Sequence, residues 1–336
     1  MNSIGCDLHR KSITFCVMTP SRQVLGRRTF SNLEVEDMLT WLAQWRPFQI
    51  VVEATAHYEW FWQQMQGVAE RIVLAHPGKL RVIAESTRKS DKIDAFVLAE
   101  FLALDMIPQA YRPTPRERAH RRLVRHCAKL RRRTTSVRCR IRSIVADYNA
   151  DRPDLFTLQG RTYLAKLQVR AEDRFVLRQL LAELTFLEKQ IKALKGHLRT
   201  FAKAAGPLEA GARQVLQSIP GVGPVTIEVV ISELGSVQRF RSAKKACAYA
   251  GLIPIVRESA GKRKELTITK AGSPLLRWAL VEAAWRVVRL NRRWHTIFES
   301  LARRRGKKRA IVAVARRLLG VMVSMLQRGE LFKLAA

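Results

Sequence analysis

The sequence predicts a chain of mixed class, α/β plus all-α, and three observations carry that expectation. Strand and helix signals alternate through the first 112 residues. Two long heptad stripes follow, and beyond them the chain is helical and punctuated by glycine.

Short apolar runs place strands near 3–8, 12–18, 24–30, 49–54 and 71–75, and apolar periodicity places helices near 33–45, 58–69 and 90–104. Thr19-Pro20-Ser21 and Gly26 mark turns in the opening meander. Three strands followed by alternating helices and strands is the order of a ribonuclease H-like (RuvC-like) domain. The composition changes abruptly after Pro113 and Pro115, so residues 1–112 form the first expected domain.

Four acids stand out in that domain. Asp7 closes the apolar run Ile4-Gly5-Cys6-Asp7-Leu8, and Glu53 ends Ile50-Val51-Val52-Glu53, so two carboxylates can emerge from neighbouring strands. Asp91 and Asp94 share one face of a helix whose Ile93, Val97, Leu98 and Leu102 supply the packing side. Any one such acid alone reads more simply as a solvated strand end or helix charge. Burying an unpaired carboxylate is costly, however, and a cation relieves that cost. Oxygen-only ligands suit magnesium or manganese and argue against zinc.

The chain carries 61 Lys and Arg against 28 Asp and Glu, a formal net charge of +33. A folded protein tolerates that excess poorly without a polyanion, and nucleic acid is the expected partner. No apolar run approaches the ~18 residues that span a bilayer, and no signal-peptide pattern opens the chain. The expectation is a cytoplasmic protein with no membrane partner. Cys6, Cys16, Cys127, Cys139 and Cys247 are odd in number and lack a Cys-x-x-Cys spacing, so they read as reduced thiols. His57 and His76 read as packed or surface histidines.

From Arg116 to Asp147 one long helix is expected, with Leu123, Cys127, Leu130, Thr134, Val137, Ile141 and Ile144 as a coiled-coil seam. That stretch holds twelve Lys and Arg against Glu117 and Asp147, too one-sided for salt-bridge lacing. Arg121, Arg122, Arg125, Lys129, Arg132 and Arg133 are therefore read as contacts to a nucleic-acid backbone. A second seam runs through Leu177, Leu180, Leu184, Leu187, Ile191, Leu194 and Leu198, pairing either within the chain or across subunits. This basic helical region spans 113–205.

Gly206-Pro207 opens the last expected domain, 206–336. Ile219-Pro220-Gly221-Val222-Gly223-Pro224 has the form of a helix-hairpin-helix turn, in which Gly221 and Gly223 let backbone N–H groups approach a phosphate. A tight interhelical turn is the plainer reading. Downstream, Ser259 sits in a polar loop flanked by Lys262, Arg263 and Lys264, and Lys270 and Arg277 extend the basic surface. A serine hydroxyl is a poor nucleophile without a base or metal to take its proton. Ten bases between Arg286 and Arg309, with Trp285 and Trp294 interleaved, suggest further backbone contacts, although tryptophan there is more often core.

Val52-Glu53-Ala54-Thr55 with Tyr58, Lys89-Ser90-Asp91-Lys92-Ile93-Asp94-Ala95 with Leu98-Ala99, and the 219–224 and 248–277 segments occur in order over nearly the whole chain. Together they resemble the DEDD transposases of bacterial insertion sequences. The resemblance implies that Asp7, Glu53, Asp91 and Asp94 are the four metal-binding acids, with Mg2+ or Mn2+ as cofactor, and that Ser259 is the nucleophile of a transposase domain. It also implies donor and target DNA as substrates, a noncoding bridge RNA as guide, and a homo-oligomer, dimer or tetramer, that completes a composite site. The competing expectations are a metal-dependent nuclease or junction resolvase that uses water, and a noncatalytic nucleic-acid binder.

Overall fold

A computed structural model describes residues 1–55, 57–83, 91–259 and 262–333. The chain divides into two compact units, Met1–Arg112 and Pro113–Ala336.

In the first unit, β1 (Asn2–Leu8), β2 (Ser12–Met18), β3 (Val24–Ser31), β4 (Phe48–Glu53) and β5 (Arg71–Ala75) form one sheet in the order β3-β2-β1-β4-β5. The first three strands pair antiparallel, while β1–β4 and β4–β5 are parallel. The helices are α1 (Val35–Ala43), α2 (Tyr58–Met65), α3 (Pro77–Ile83) and α4 (Asp91–Ala103). A five-stranded mixed sheet in this order is consistent with the ribonuclease H-like expectation. The sequence reading omits α3, because Pro77-Gly78 reads as a turn and the helix is only seven residues long.

Strand alternation sorts the side chains of β1 and β4. Ile4, Cys6, Leu8, Ile50 and Val52 pack with Met38 and Leu42 of α1 and Phe61 and Met65 of α2. Val51 and Val73 pack on the opposite side with Leu98 and Leu102 of α4, and Cys16 and Met18 meet Ala95 and Ala99 of the same helix. Gly5 is what allows this approach. A Cβ there would collide with the Ala95 carbonyl oxygen and the Ala99 nitrogen, so only glycine seats the helix backbone directly on β1.

The second unit opens with α5 (Pro115–Ala146), α6 (Leu158–Lys166) and α7 (Ala171–Lys203). Thr114 and Glu117 form a reciprocal capping box and Pro115 takes the first turn, which fixes the start of α5. The two seams pair with each other inside the chain, antiparallel, and bury Leu130, Val137, Ile141, Leu177, Leu180, Leu184 and Leu187. At the seam's ends Val124 and Val145 are buried where Leu123 and Ile144 were expected. A straight helix of 3.6 residues per turn drifts away from a strict heptad over this length.

The remaining elements are α8 (Pro207–Gln217), α9 (Pro224–Leu234), α10 (Ala243–Tyr249), β6 (Pro254–Ser259), β7 (Lys262–Ile268), α11 (Pro274–Leu290), α12 (Arg292–Arg305) and α13 (Lys307–Arg328). A short 3-10 turn, Val237–Arg239, links α9 to α10. The core gathers around α13, whose Val314, Ala315, Leu318, Leu319, Met322 and Val323 are fully buried. This helix corrects one expectation. An 18-residue window of mean hydropathy 1.6 lies within it, long and apolar enough to cross a membrane, although Arg316 and Arg317 interrupt the run in sequence. Half of that window is buried against the other helices, as befits a core helix. All five cysteines are free thiols.

Candidate metal centre and nucleic-acid interface

Asp7 and Glu53 occupy corresponding positions on adjacent parallel strands. Cys6 is the register partner of Val52, and each acid is the next residue along. Because Cys6 and Val52 face α1 and α2, both acids turn to the other side of the sheet, where α4 lies. Phe96 lies against Arg27, the register partner of Cys16, which itself pairs with Gly5, whereas Glu100 approaches Arg22 beyond Met18, so α4 begins at the Asp7 end of β1. Asp91 and Asp94 therefore belong to the helix end that approaches the Asp7 and Glu53 strand ends. Asp94 is exposed, and the side chain of Asp91 lies outside the described residues. Among the described residues, no three His, Cys, Asp or Glu groups gather closely enough to cage an ion. The donor set itself, carboxylates aimed at one side of a sheet, fits a hard divalent cation.

The sequence reading missed His9. It lies two residues beyond Asp7, and its Nε2 stands 3.1 Å from Asp7 Oδ2, with the imidazole half-exposed and the carboxylate only 16% exposed. Two-residue spacing at a strand end is the signal that could have found it. His57 and His76 are exposed, and His76 Nδ1 accepts from the Lys79 N–H at the start of α3.

Ser259 was expected in a loop. It ends β6 instead, opposite Lys262 in a two-stranded antiparallel hairpin. Ile255 and Val256 on one arm and Thr267 and Ile268 on the other supply the β-branched residues, but the intervening basic run hides their alternation in the sequence. Ala260 and Gly261 lie outside the described residues, as do the side chains of Ser259, Lys262, Arg263 and Lys264. Lys270 is exposed and takes a positive φ of 54° just after β7.

The basic residues divide into two groups. Arg125 makes a bidentate pair with Glu233 at 2.8 Å on each nitrogen, and Arg121 donates to the Ser232 and Glu233 carbonyls at the end of α9. Arg277 donates to the carbonyls of Ala250, Ala271 and Gly272, fastening the start of α11 to the preceding turn. Along α5, Arg116 pairs with Glu209, Arg138 with Glu188, and Arg133 and Arg140 approach Glu183. The helix is thus laced to its neighbours, contrary to expectation, because the acids come from α7, α8 and α9 rather than from α5. Arg122, Lys129 and Arg132 face solvent.

Buried His120 stacks on Phe201 at 5.3 Å and places Nε2 2.6 Å from Glu228. Arg213 binds the same carboxylate at 2.8 and 3.0 Å. Burial alone would raise the Glu228 pKa, but the His120 and Arg213 hydrogen bonds and charges prevail and hold it down at about 2.

The Gly221–Gly223 turn joins α8 to α9. Gly221 has φ of 90°, and a Cβ there would lie 3.1 Å from the Val287 nitrogen, so α11 packs against this glycine. A Cβ at Gly223 would lie 3.3 Å from the Arg286 guanidinium. Trp294 is buried and Trp285 packs edge-on against Phe298, both as core residues.

Comparison with known proteins agrees with this architecture. A DEDD transposase model of the IS110 type matches residues 4–150, and a model described as the transposase IS116/IS110/IS902 family matches residues 213–299. The transposase for insertion sequence element IS1111A of Coxiella burnetii is 26% identical over 99% of this chain and 92% of its own length. A probable family 20 transposase of Pseudomonas aeruginosa is 21% identical over 99% of both chains. The pilin gene-inverting protein of Moraxella bovis is 30% identical over 35% of this chain and 38% of its own. Such transposases act on DNA and depend on a divalent metal. With the two family models covering its acid-bearing sheet and its C-terminal helices, and relatives matching it end to end, the chain belongs to the DEDD transposases of bacterial insertion sequences and is a DNA transposase.

Proposed function

We propose that this transposase cuts, exchanges and rejoins DNA strands through a phosphoserine intermediate on Ser259, with Asp7, Glu53, Asp91 and Asp94 holding magnesium, or manganese in its place. The observation that carries the metal half is the shared orientation of Asp7 and Glu53 toward the helix that starts at Asp91. A divalent ion bound there would lower the pKa of a hydroxyl and offset charge on the scissile phosphate. In the step we assign to Ser259, its Oγ forms a bond to phosphorus while a bond from phosphorus to a deoxyribose oxygen breaks. The serine proton leaves to a base, and the departing oxygen takes a proton. Attack by a strand-end hydroxyl on the phosphoserine reverses the step and reseals the backbone without ATP. A relative described as gene-inverting supports religation, since inversion requires both cut ends to be rejoined.

Residues 1–112 would supply the acids, 113–205 the basic helices, and 206–336 the serine. Arg122, Lys129, Arg132, Lys262, Arg263, Lys264 and Lys270 would bind donor and target backbones, and Gly221 and Gly223 would admit a phosphate at α9. The same reading assigns a bridge RNA as guide and a dimer or tetramer that completes a composite site. The test is an SDS-stable protein–DNA adduct on a donor-end substrate in magnesium. Ser259→Ala should abolish the adduct and Asp7→Asn should abolish it with DNA binding retained. Undiminished cleavage by Ser259→Ala would establish water as nucleophile. Sequencing RNA copurified with the protein tests the guide.

A further inference from the structure

One cavity in the second unit enters that reading only through Arg132 and the start of α9, which border it. It measures about 640 Å³ and lies among α5, α7, α9 and α11. That is within the ordinary range for a small-ligand pocket of ~300–1,000 Å³. Its floor is apolar and buried, formed by Val124, Cys127, Val229 and Leu275. Trp278 stands in its wall with 46% of its surface exposed, a costly exposure for so large an aromatic in a unit whose other tryptophans pack into the core.

The rim is cationic. Arg131 and Arg132 come from α5, and Lys195 and Arg199, one helical turn apart, come from α7. None of the four makes an ion pair with a described carboxylate. The one acid lining the cavity, Glu228, is already held by His120 and Arg213. The start of α9 completes the wall with Pro224 and Val225, and its N-cap, Gly223, offers no side-chain acceptor for the first-turn N–H groups. An apolar floor, an exposed indole and unneutralised cations in one concavity match a ligand with an aromatic plane and a phosphate.

We infer that this cavity holds an unpaired nucleotide of the DNA strand, its base against Trp278 and its phosphates among Arg131, Arg132, Lys195 and Arg199. Stacking is indifferent to base identity and the cations to sequence, so the site would grip DNA opened for strand exchange without selecting a target. Paired DNA cannot present a base here without extrusion. The inference rests on the established DNA transposase activity and is independent of whether Ser259 is the nucleophile.

The test uses full-length protein and a single-stranded DNA oligonucleotide carrying 2-aminopurine, whose fluorescence is quenched on stacking. Quenching is expected with the wild-type chain and with Ser259→Ala. It should be lost in Trp278→Ala, restored in Trp278→Phe, and accompanied in Trp278→Ala by roughly tenfold weaker binding. Arg199→Glu with Lys195→Glu should weaken binding further and flatten its salt dependence. Circular dichroism and thermal melts matching the wild type establish that the variants fold. Equal quenching in Trp278→Ala, equal competition by duplex DNA, or tighter binding of an RNA oligonucleotide of the same sequence would each overturn the assignment. So would a change of oligomeric state in Trp278→Ala with oligonucleotide binding intact, which would make the cavity a seat for a second copy.

Discussion

The two units treat charge in opposite ways. Around β1 the sheet is apolar on both faces, and its notable carboxylates are confined to strand ends on the side of α4. In the helical unit charge is dense, yet much of it is structural: Arg125 on Glu233, Arg213 and His120 on Glu228, Arg138 on Glu188, Arg116 on Glu209. The number of charges in a segment therefore says little about its function. What matters is whether the fold supplies each charge with a partner.

The largest expected effect falls on the sparse acids. Asp7→Asn or Glu53→Gln should lower strand cleavage by about a thousandfold or more while mobility shifts with donor DNA stay nearly unchanged. If cleavage persists, the strand-end acids are ordinary surface charges and the contrast between the units collapses. Next is the glycine that seats α4. Gly5→Ala should cost about 3 kcal/mol or more in a urea titration, because the added methyl meets backbone atoms of Ala95 and Ala99 that cannot rotate away. An unmoved midpoint would mean that Gly5 does not set the spacing of helix and sheet.

In the basic unit, Arg125→Met should cost about 3 kcal/mol, since it strips the bidentate partner from a carboxylate whose side chain is only 1% exposed. Glu228 gives a pH signature of similar size. Its folded pKa of about 2 lies below the ordinary 4.5, so its stabilisation is fully present above pH 4.5 and is lost as pH falls toward 2. The loss is on the order of 3 kcal/mol, and Glu228→Gln should flatten it in acid titrations of stability. The smallest effect is Arg132→Met, which should leave stability within about 0.5 kcal/mol and reduce the salt slope of nucleic-acid binding by about one contact. Equal destabilisation by Arg125→Met and Arg132→Met would erase the distinction between paired and unpaired arginines.

Much of the fold was legible beforehand. The five strands and three of the helices of the first unit come from apolar runs and turn residues, which are local signals. The seam spacings of 123–144 and 177–198 fix the two long helices in the same way. The β6–β7 hairpin was not legible, because a run of bases covers its alternation, and His9 was passed over for lack of a recognisable metal-ligand spacing. The orientation of Asp7 and Glu53 lies between these cases. Each is a strand end by sequence, but their common side follows from the register of Cys6 with Val52.

By itself, then, the sequence determined most of the elements, the mixed class of the fold and the family, since period, turn residues and ordered motifs are properties of neighbouring residues. Tertiary structure alone decided that the two leucine seams close on each other and that Arg121, Arg125 and Arg277 serve protein acceptors. It alone decided that Trp278, Arg131, Arg132, Lys195 and Arg199 surround one cavity. Those outcomes depend on which groups meet in space rather than which are neighbours in sequence, and the energy of an ion pair or a buried methyl is set by that meeting.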